Sequence, residues 1–233
     1  MAGLSPRLRS RLKSICGFRK DLFRLFAPPL CAVCESALEA RESWLCRGCS
    51  TDLAGQMHIG EREVDAGGAG SMRVLFPLAY TPAVSRLVKG MKYSDRPGLA
   101  EVLAPFLALV LSSMEPAAPV LVPVPLHAAK RRERGYNQSE LLADGVGRLT
   151  GLEVAKGALR RVRNTSSQAG LDRARRLLNM RLAFRAADSV AGRHVILIDD
   201  VLTTGATLGE CASALRGSRA SEVTGCVVAS SAL

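Results

Sequence analysis

Apolar positions recur along this chain with two periods, and the period switches from segment to segment. Val84, Leu87, Val88 and Met91 fall at helical spacing and predict a helix over residues 82–92. Residues 99–113 continue as an apolar helix, and Leu141, Leu142 and Val146 put one apolar side on a helix over residues 139–149. Short apolar runs at residues 73–80 and 120–124 predict strands, the second ending in Pro123-Val124-Pro125. The run from His194 to Ile198 is β-branched and uninterrupted, as in a parallel strand buried on both faces. A helix over residues 208–215 and a last strand over residues 222–229 follow. Strands alternating with helices predict an α/β domain with a mainly parallel sheet over residues 72–233.

Upstream the pattern is different. Residues 1–29 form an Arg-rich, acid-poor leader that ends at Pro28-Pro29 and lacks the apolar core of a secretory signal. Residues 30–58 carry paired cysteines. Residues 59–71, with Asp65-Ala-Gly-Gly-Ala-Gly70, read as a Gly-rich linker.

Composition narrows the function classes. With 48% hydrophobic and 23% charged residues the chain is globular, and with only 4% aromatics it offers few stacking platforms for a base-binding surface. The net charge of +11 favours an anionic partner, either a polyphosphate or a nucleic acid. Proline interrupts the longest apolar runs, residues 102–111 and 116–126, and both fall short of the ~20 residues a bilayer needs, so no membrane span is expected.

Cys31-x-x-Cys34 and Cys46-x-x-Cys49 form two knuckles eleven residues apart, and four thiolates at this spacing predict a closed, structural Zn²⁺ site. Iron is an alternative occupant of four cysteines. Gly48 is expected to ease the second turn. Cys16, Cys211 and Cys226 lack partners at ligand spacing and read as core residues. Paired thiols that suit a metal better than a disulfide framework also point to a cytoplasmic protein.

The most informative stretch is Val195-Ile-Leu-Ile-Asp-Asp-Val-Leu-Thr-Thr-Gly-Ala-Thr207, a buried strand that meets a helix through acids, hydroxyls and a glycine. Backbone N–H groups of Thr203, Thr204, Gly205 and Ala206 can curl into an anion-binding nest at the helix N-terminus, and the hydroxyls of Thr203, Thr204 and Thr207 add donors. Gly205 permits close approach to a phosphate. Asp199 and Asp200 end the strand where open α/β sheets hold ligands, and carboxylates suit the vicinal hydroxyls of a ribose or a Mg²⁺ carried by phosphates. Two adjacent acids followed by Thr-Thr-Gly-Ala-Thr exceed what a helix cap needs, and no Gly-Lys-[Ser/Thr] follows to make a Walker loop.

This stretch resembles the signature of the type I phosphoribosyltransferases at all thirteen positions. With Val122-Pro-Val-Pro-Leu-His127, Arg134-Gly-Tyr-Asn-Gln138, Thr165-Ser-Ser-Gln168 and Lys89-Gly-Met-Lys-Tyr93, the chain from about Cys31 to Val228 resembles the ComF/GntX family. Gln168, Leu171, Arg176 and Asn179 fit its order, whereas Arg219 stands where members tend to carry glycine. The resemblance implies a type I phosphoribosyltransferase fold with a small N-terminal four-cysteine zinc ribbon. It implies that 5-phosphoribosyl 1-diphosphate binds with Mg²⁺ and that the phosphoribosyl group passes to an unknown nucleophile. A non-catalytic sensor of the same ligand is an alternative, as is a competence or DNA-uptake role. In these terms Val124 and Leu126 would offer N–H groups to the diphosphate, with Lys130 and Arg134 beside them, and residues 160–176 would form a closing loop. Expected partners are the diphosphate sugar, single-stranded DNA or DNA-uptake proteins, and a second copy of the chain in a homodimer.

Overall fold

The computed structural model describes residues 28–114, 119–162 and 183–231. The leader to residue 27, Cys16, the Thr165–Gln168 motif, Leu171, Arg176 and Asn179 lie outside the described residues. The chain divides into two compact units, Met1–Asp52 and Leu53–Leu233. The break falls within α1 (Arg47–Gly55).

In the larger unit the strands are β1 (Gly60–Asp65), β2 (Ser71–Phe76), β3 (Leu78–Ala79), β4 (Val120–Pro123), β5 (Glu153–Val154), β6 (Leu159–Arg161), β7 (Phe184–Ala186), β8 (His194–Leu202) and β9 (Glu222–Ser230). The helices are α2 (Pro82–Tyr93), α3 (Leu99–Ser112), α4 (Ala128–Arg134), α5 (Gln138–Thr150) and α6 (Ala206–Gly217). A seven-stranded sheet runs β1-β2-β9-β8-β4-β5, with β3 also on β9. Every pair in it is parallel except β1–β2, and β6–β7 form a separate antiparallel ribbon. The expected α/β fold with a mainly parallel sheet is therefore present.

Both faces of the sheet are covered, which is why its central strands could be apolar without alternation. On one face Val74, Phe76, Val195, Leu197, Leu208 and Leu215 belong to a single buried cluster. Across the sheet α3 packs on α5, and α5 packs on β4 and β8. Leu103, Leu107, Leu121, Leu142, Ile196 and Ile198 are wholly buried.

Two expectations are corrected. Residues 60–71 are not a linker: β1 pairs with β2 in register from Gly60↔Phe76 to Asp65↔Ser71, closed by a 3-10 turn at Gly67–Ala69. Only Val64 of β1 is buried, so this edge strand carries almost no hydrophobic signal. The backbone ladder with β2 carries it, and Arg73 adds two exposed hydrogen bonds of 2.8 Å to Glu61. Second, β8 does not stop at Ile198. It continues on β9 through Asp199↔Val227 and Val201↔Ala229, so both acids lie on the strand itself.

Candidate functional site

Parallel order brings the carboxyl ends of β4 and β8 to one edge, and the loops that follow them face the same region. Asp199 and Asp200 are consecutive on β8 and close enough that Lys92 acts on both carboxyls. Asp199 Oδ1 accepts hydrogen bonds from Ser139 Oγ and from the Asp200 N–H, both at 2.9 Å. Asp200 is 3% exposed, and its Oδ1 accepts from Lys92 Nζ at 2.6 Å. Asp200 Oδ2 is buried and has no hydrogen-bond partner among the described residues. Burial first, and then the charge of Asp200, push the Asp199 carboxyl up to about 7, against the opposing pull of Lys92. Burial alone would lower the Lys92 ammonium, but the charge and hydrogen bond of Asp200 outweigh it and leave its pKa above the ordinary lysine value.

Past the acids the chain turns into α6 at Gly205. This residue has φ 81°, and a Cβ there would meet Val64 Cγ1 at 2.7 Å, so conformation and space both require glycine. Thr203, Thr204, Ala206 and Thr207 are exposed around it, and Thr204 Oγ1 accepts from the Ala206 N–H at 3.4 Å. The β1–β2 hairpin backs this loop. A Cβ at Gly209 would collide with the Asp65 carbonyl oxygen, and Arg216 of α6 donates to the carbonyls of Ala69 and Ser71.

The loop after β4 differs from expectation. The Val124 N–H is committed to Ile198 O at 2.9 Å, so Val124 extends the sheet and offers no free donor. Its carbonyl accepts from buried Asn137 Nδ2 at 3.0 Å, while Asn137 Oδ1 caps α5. Pro123 and Pro125 have no N–H, which leaves Leu126 as the donor of this turn. His127 caps α4 through Nδ1, so it orients backbone.

The basic run 130–134 divides in two. Arg131 makes a bidentate pair with Glu140 at 2.7 and 3.0 Å. Lys130, Arg132 and Arg134 instead line a cavity of about 510 Å³ with Lys92, Tyr93 and Tyr136. Asp95 and Glu133 also line it, so four cations face two carboxylates. Arg134 lies over the Tyr93 ring at 5.3 Å, and Tyr136 donates to Met91 O at 2.7 Å, tying the chain after α4 to the end of α2. The structure thus brings Asp199 and Asp200 to the head of the threonine loop, and Lys130 and Arg134 to a cavity that Lys92 shares. Ser139 and Lys92 were missed as site residues. The Lys89–Tyr93 and Arg134–Gln138 motifs beside them were the available signal.

In the smaller unit the ligand atoms of Cys31, Cys34, Cys46 and Cys49 all lie within 4.8 Å of one another, so the cluster can hold a metal ion. The Cys34 and Cys46 sulfurs are 3.6 Å apart, near the ~3.8 Å edge of a tetrahedron with zinc–sulfur bonds of about 2.3 Å. Burial and hydrogen bonds to the other three thiols raise the Cys49 pKa, a penalty that a bound cation removes. Gly48 does not form the second knuckle's turn. It lies within α1, and the left-handed residue of the ribbon is Glu35, at φ 62°. Cys211 and Cys226 are buried core residues, as expected. No helix among the described residues is long and apolar enough to cross a membrane.

Residues 101–232 match the family model of the phosphoribosyl transferase domain. DNA utilization protein YhgH of Salmonella typhi is 32% identical over 196 residues, covering 80% of this chain and 83% of that protein. Competence protein F of Haemophilus influenzae is 28% identical over 208 residues, covering 80% and 90%. The glutamine phosphoribosylpyrophosphate amidotransferase of B. subtilis is a solved structure with 18% identity and a TM-score of 0.41, covering 70% of this chain and 34% of its own. The family match spans more than half of the chain, and the four-cysteine cluster accompanies it. The chain belongs to the ComF family of proteins with a type I phosphoribosyltransferase-like domain and an N-terminal four-cysteine ribbon.

Proposed function

We propose that this protein binds 5-phosphoribosyl 1-diphosphate with Mg²⁺ and transfers its phosphoribosyl group to a nucleophile. The β8–α6 junction carries the reading, because an acid pair for the ribose hydroxyls runs directly into an exposed threonine loop for the 5-phosphate. Thr203, Thr204, Gly205, Ala206 and Thr207 take the phosphate at the start of α6, where the helix dipole favours an anion. Leu126, Lys130 and Arg134 receive the diphosphate. The orphaned Asp200 Oδ2 suits a hard cation, and Mg²⁺ there or on the ligand would neutralise the charge of the departing diphosphate. The chain's own share is to fix the ribose through Asp199 and Asp200, to hold the leaving group with cations, and to exclude competing water.

Calorimetry with the diphosphate sugar and Mg²⁺ tests the assignment. Binding is expected to fall sharply in the Asp199→Asn/Asp200→Asn protein, and unchanged affinity would refute it. A screen of nitrogenous acceptors for pyrophosphate release separates transfer from a sensor that binds without turnover. The names of the relatives and the exposed Lys130 and Arg132 favour a second role in handling single-stranded DNA. A steep salt dependence of strand affinity, lost when Lys130, Arg132 and Arg134 are neutralised, is the expected signature. Zinc in the ribbon and a cytoplasmic setting that keeps its thiols reduced complete the reading.

A further inference from the structure

Lys92 is unusually buried for a lysine at the end of a helix. Its ammonium is 2.6 Å from Asp200 Oδ1, with side chains 21% and 4% exposed, and the same lysine lines the basic cavity. Burying such a pair costs several kcal/mol of desolvation, and an apolar pair of similar volume often serves a fold as well. The pair therefore calls for a reason beyond stability. Geometry supplies one. An ammonium has three donors, and the hydrogen bond to Asp200 uses one of them. Lys92 stands in the last turn of α2, where the helix dipole favours a cation, and the Tyr136–Met91 hydrogen bond fixes that helix end against the other wall of the cavity. Lys130, Arg132 and Arg134 leave the lining with an excess of positive charge. One cation thus stands at the boundary between an acid suited to ribose and a cavity suited to an anion.

We propose that Lys92 is the diphosphate-selecting residue of this site: while paired with Asp200, its ammonium donates to a diphosphate seated in the cavity. This rests on the phosphoribosyl reading and deepens it, because it explains how one site distinguishes a sugar carrying a 1-diphosphate from ribose 5-phosphate. The bridge also sets the distance between the two ends of the ligand, since moving Lys92 would disturb the acid and the anion together.

Calorimetry on the full chain uses inorganic pyrophosphate with Mg²⁺ and, separately, ribose 5-phosphate as probes. Removing Lys92 alone leaves Asp200 buried without its cation, so the comparison is made in the Asp200→Asn background, where that carboxylate no longer needs neutralising. Adding Lys92→Met to Asp200→Asn is expected to weaken pyrophosphate about tenfold or more, as for a lost charge-assisted hydrogen bond, and to change ribose 5-phosphate less than about twofold. In the otherwise unaltered chain, Lys92→Arg is expected to keep pyrophosphate affinity within about threefold, by conserving the charge. Equal pyrophosphate affinity in Asp200→Asn with and without Lys92→Met would reduce Lys92 to a counter-ion and overturn the proposal. An unaltered chain that does not bind pyrophosphate would overturn it too. If pyrophosphate binding depends on Lys92 but the diphosphate sugar does not bind, the anion site stands and the phosphoribosyl reading fails.

Discussion

Replacing Asp199 with asparagine isolates the energetic strain at the acid pair. Burial and the neighbouring Asp200 charge raise the Asp199 carboxyl from its ordinary 3.8 to about 7 in the folded chain. The folded state therefore holds a proton that the unfolded chain has released over this interval, and stability falls as pH rises through it. The slope for one such group is about 1.4 kcal/mol per pH unit between pH 4 and 7, and it flattens above 7 once both states are ionised. From pH 5 to 8 the loss comes to ~2.5 kcal/mol. Asp199→Asn has no proton to release, so its stability curve should lack this component, and the difference between the two proteins should grow by that amount over the same range. Urea denaturation at half-unit pH steps measures it. The half-buried Glu210, also raised to about 7 chiefly by burial, contributes a slope of the same sign to both proteins and cancels in the difference. Parallel stability curves for the two proteins would refute the account of a strained, partly protonated Asp199.

Three further outcomes are expected. Gly205→Ala places a Cβ against Val64 at a left-handed φ, and should cost ~2 kcal/mol or more in denaturation and weaken binding of the diphosphate sugar with it. Arg219→Gly relieves a left-handed arginine at φ 63° and should raise stability by ~0.5–1 kcal/mol, read as a shift of the urea midpoint. Elemental analysis of purified protein should find about one zinc per chain, and Cys46→Ser should remove most of it while leaving the melting of the phosphoribosyltransferase-like unit unchanged.

Much of the site was legible because its chemistry is local. The acids, the threonines and Gly205 fall in one short stretch, so a single strand–loop–helix segment carries the whole constellation. The paired cysteines are legible for the same reason, since ligand spacing within each knuckle is set by a few bonds of chain. Arg219 marked a real conflict: the turn there does adopt the left-handed backbone that glycine prefers, and Gly192 N–H bonds its carbonyl at 2.8 Å.

What sequence patterns hid was whatever depends on partners far along the chain. Residues 60–65 read as a loop because a strand at the sheet edge buries only Val64, yet pairing with β2 makes them the wall behind Gly205 and Gly209. Val124 looked like a free donor until the parallel register with β8 claimed its N–H. Lys92 is 108 residues from Asp200, and no periodicity predicts that a helix end will deliver its ammonium to that carboxylate. The sequence by itself determined the strand–loop–helix segment with its acid pair and threonines, the four-cysteine cluster and the α/β class, because these follow from short-range geometry and hydrophobic period. Only the tertiary structure decided which backbone groups remain free, which cations reach the acids and how far β8 extends, because burial and hydrogen-bond satisfaction depend on the whole packed sheet.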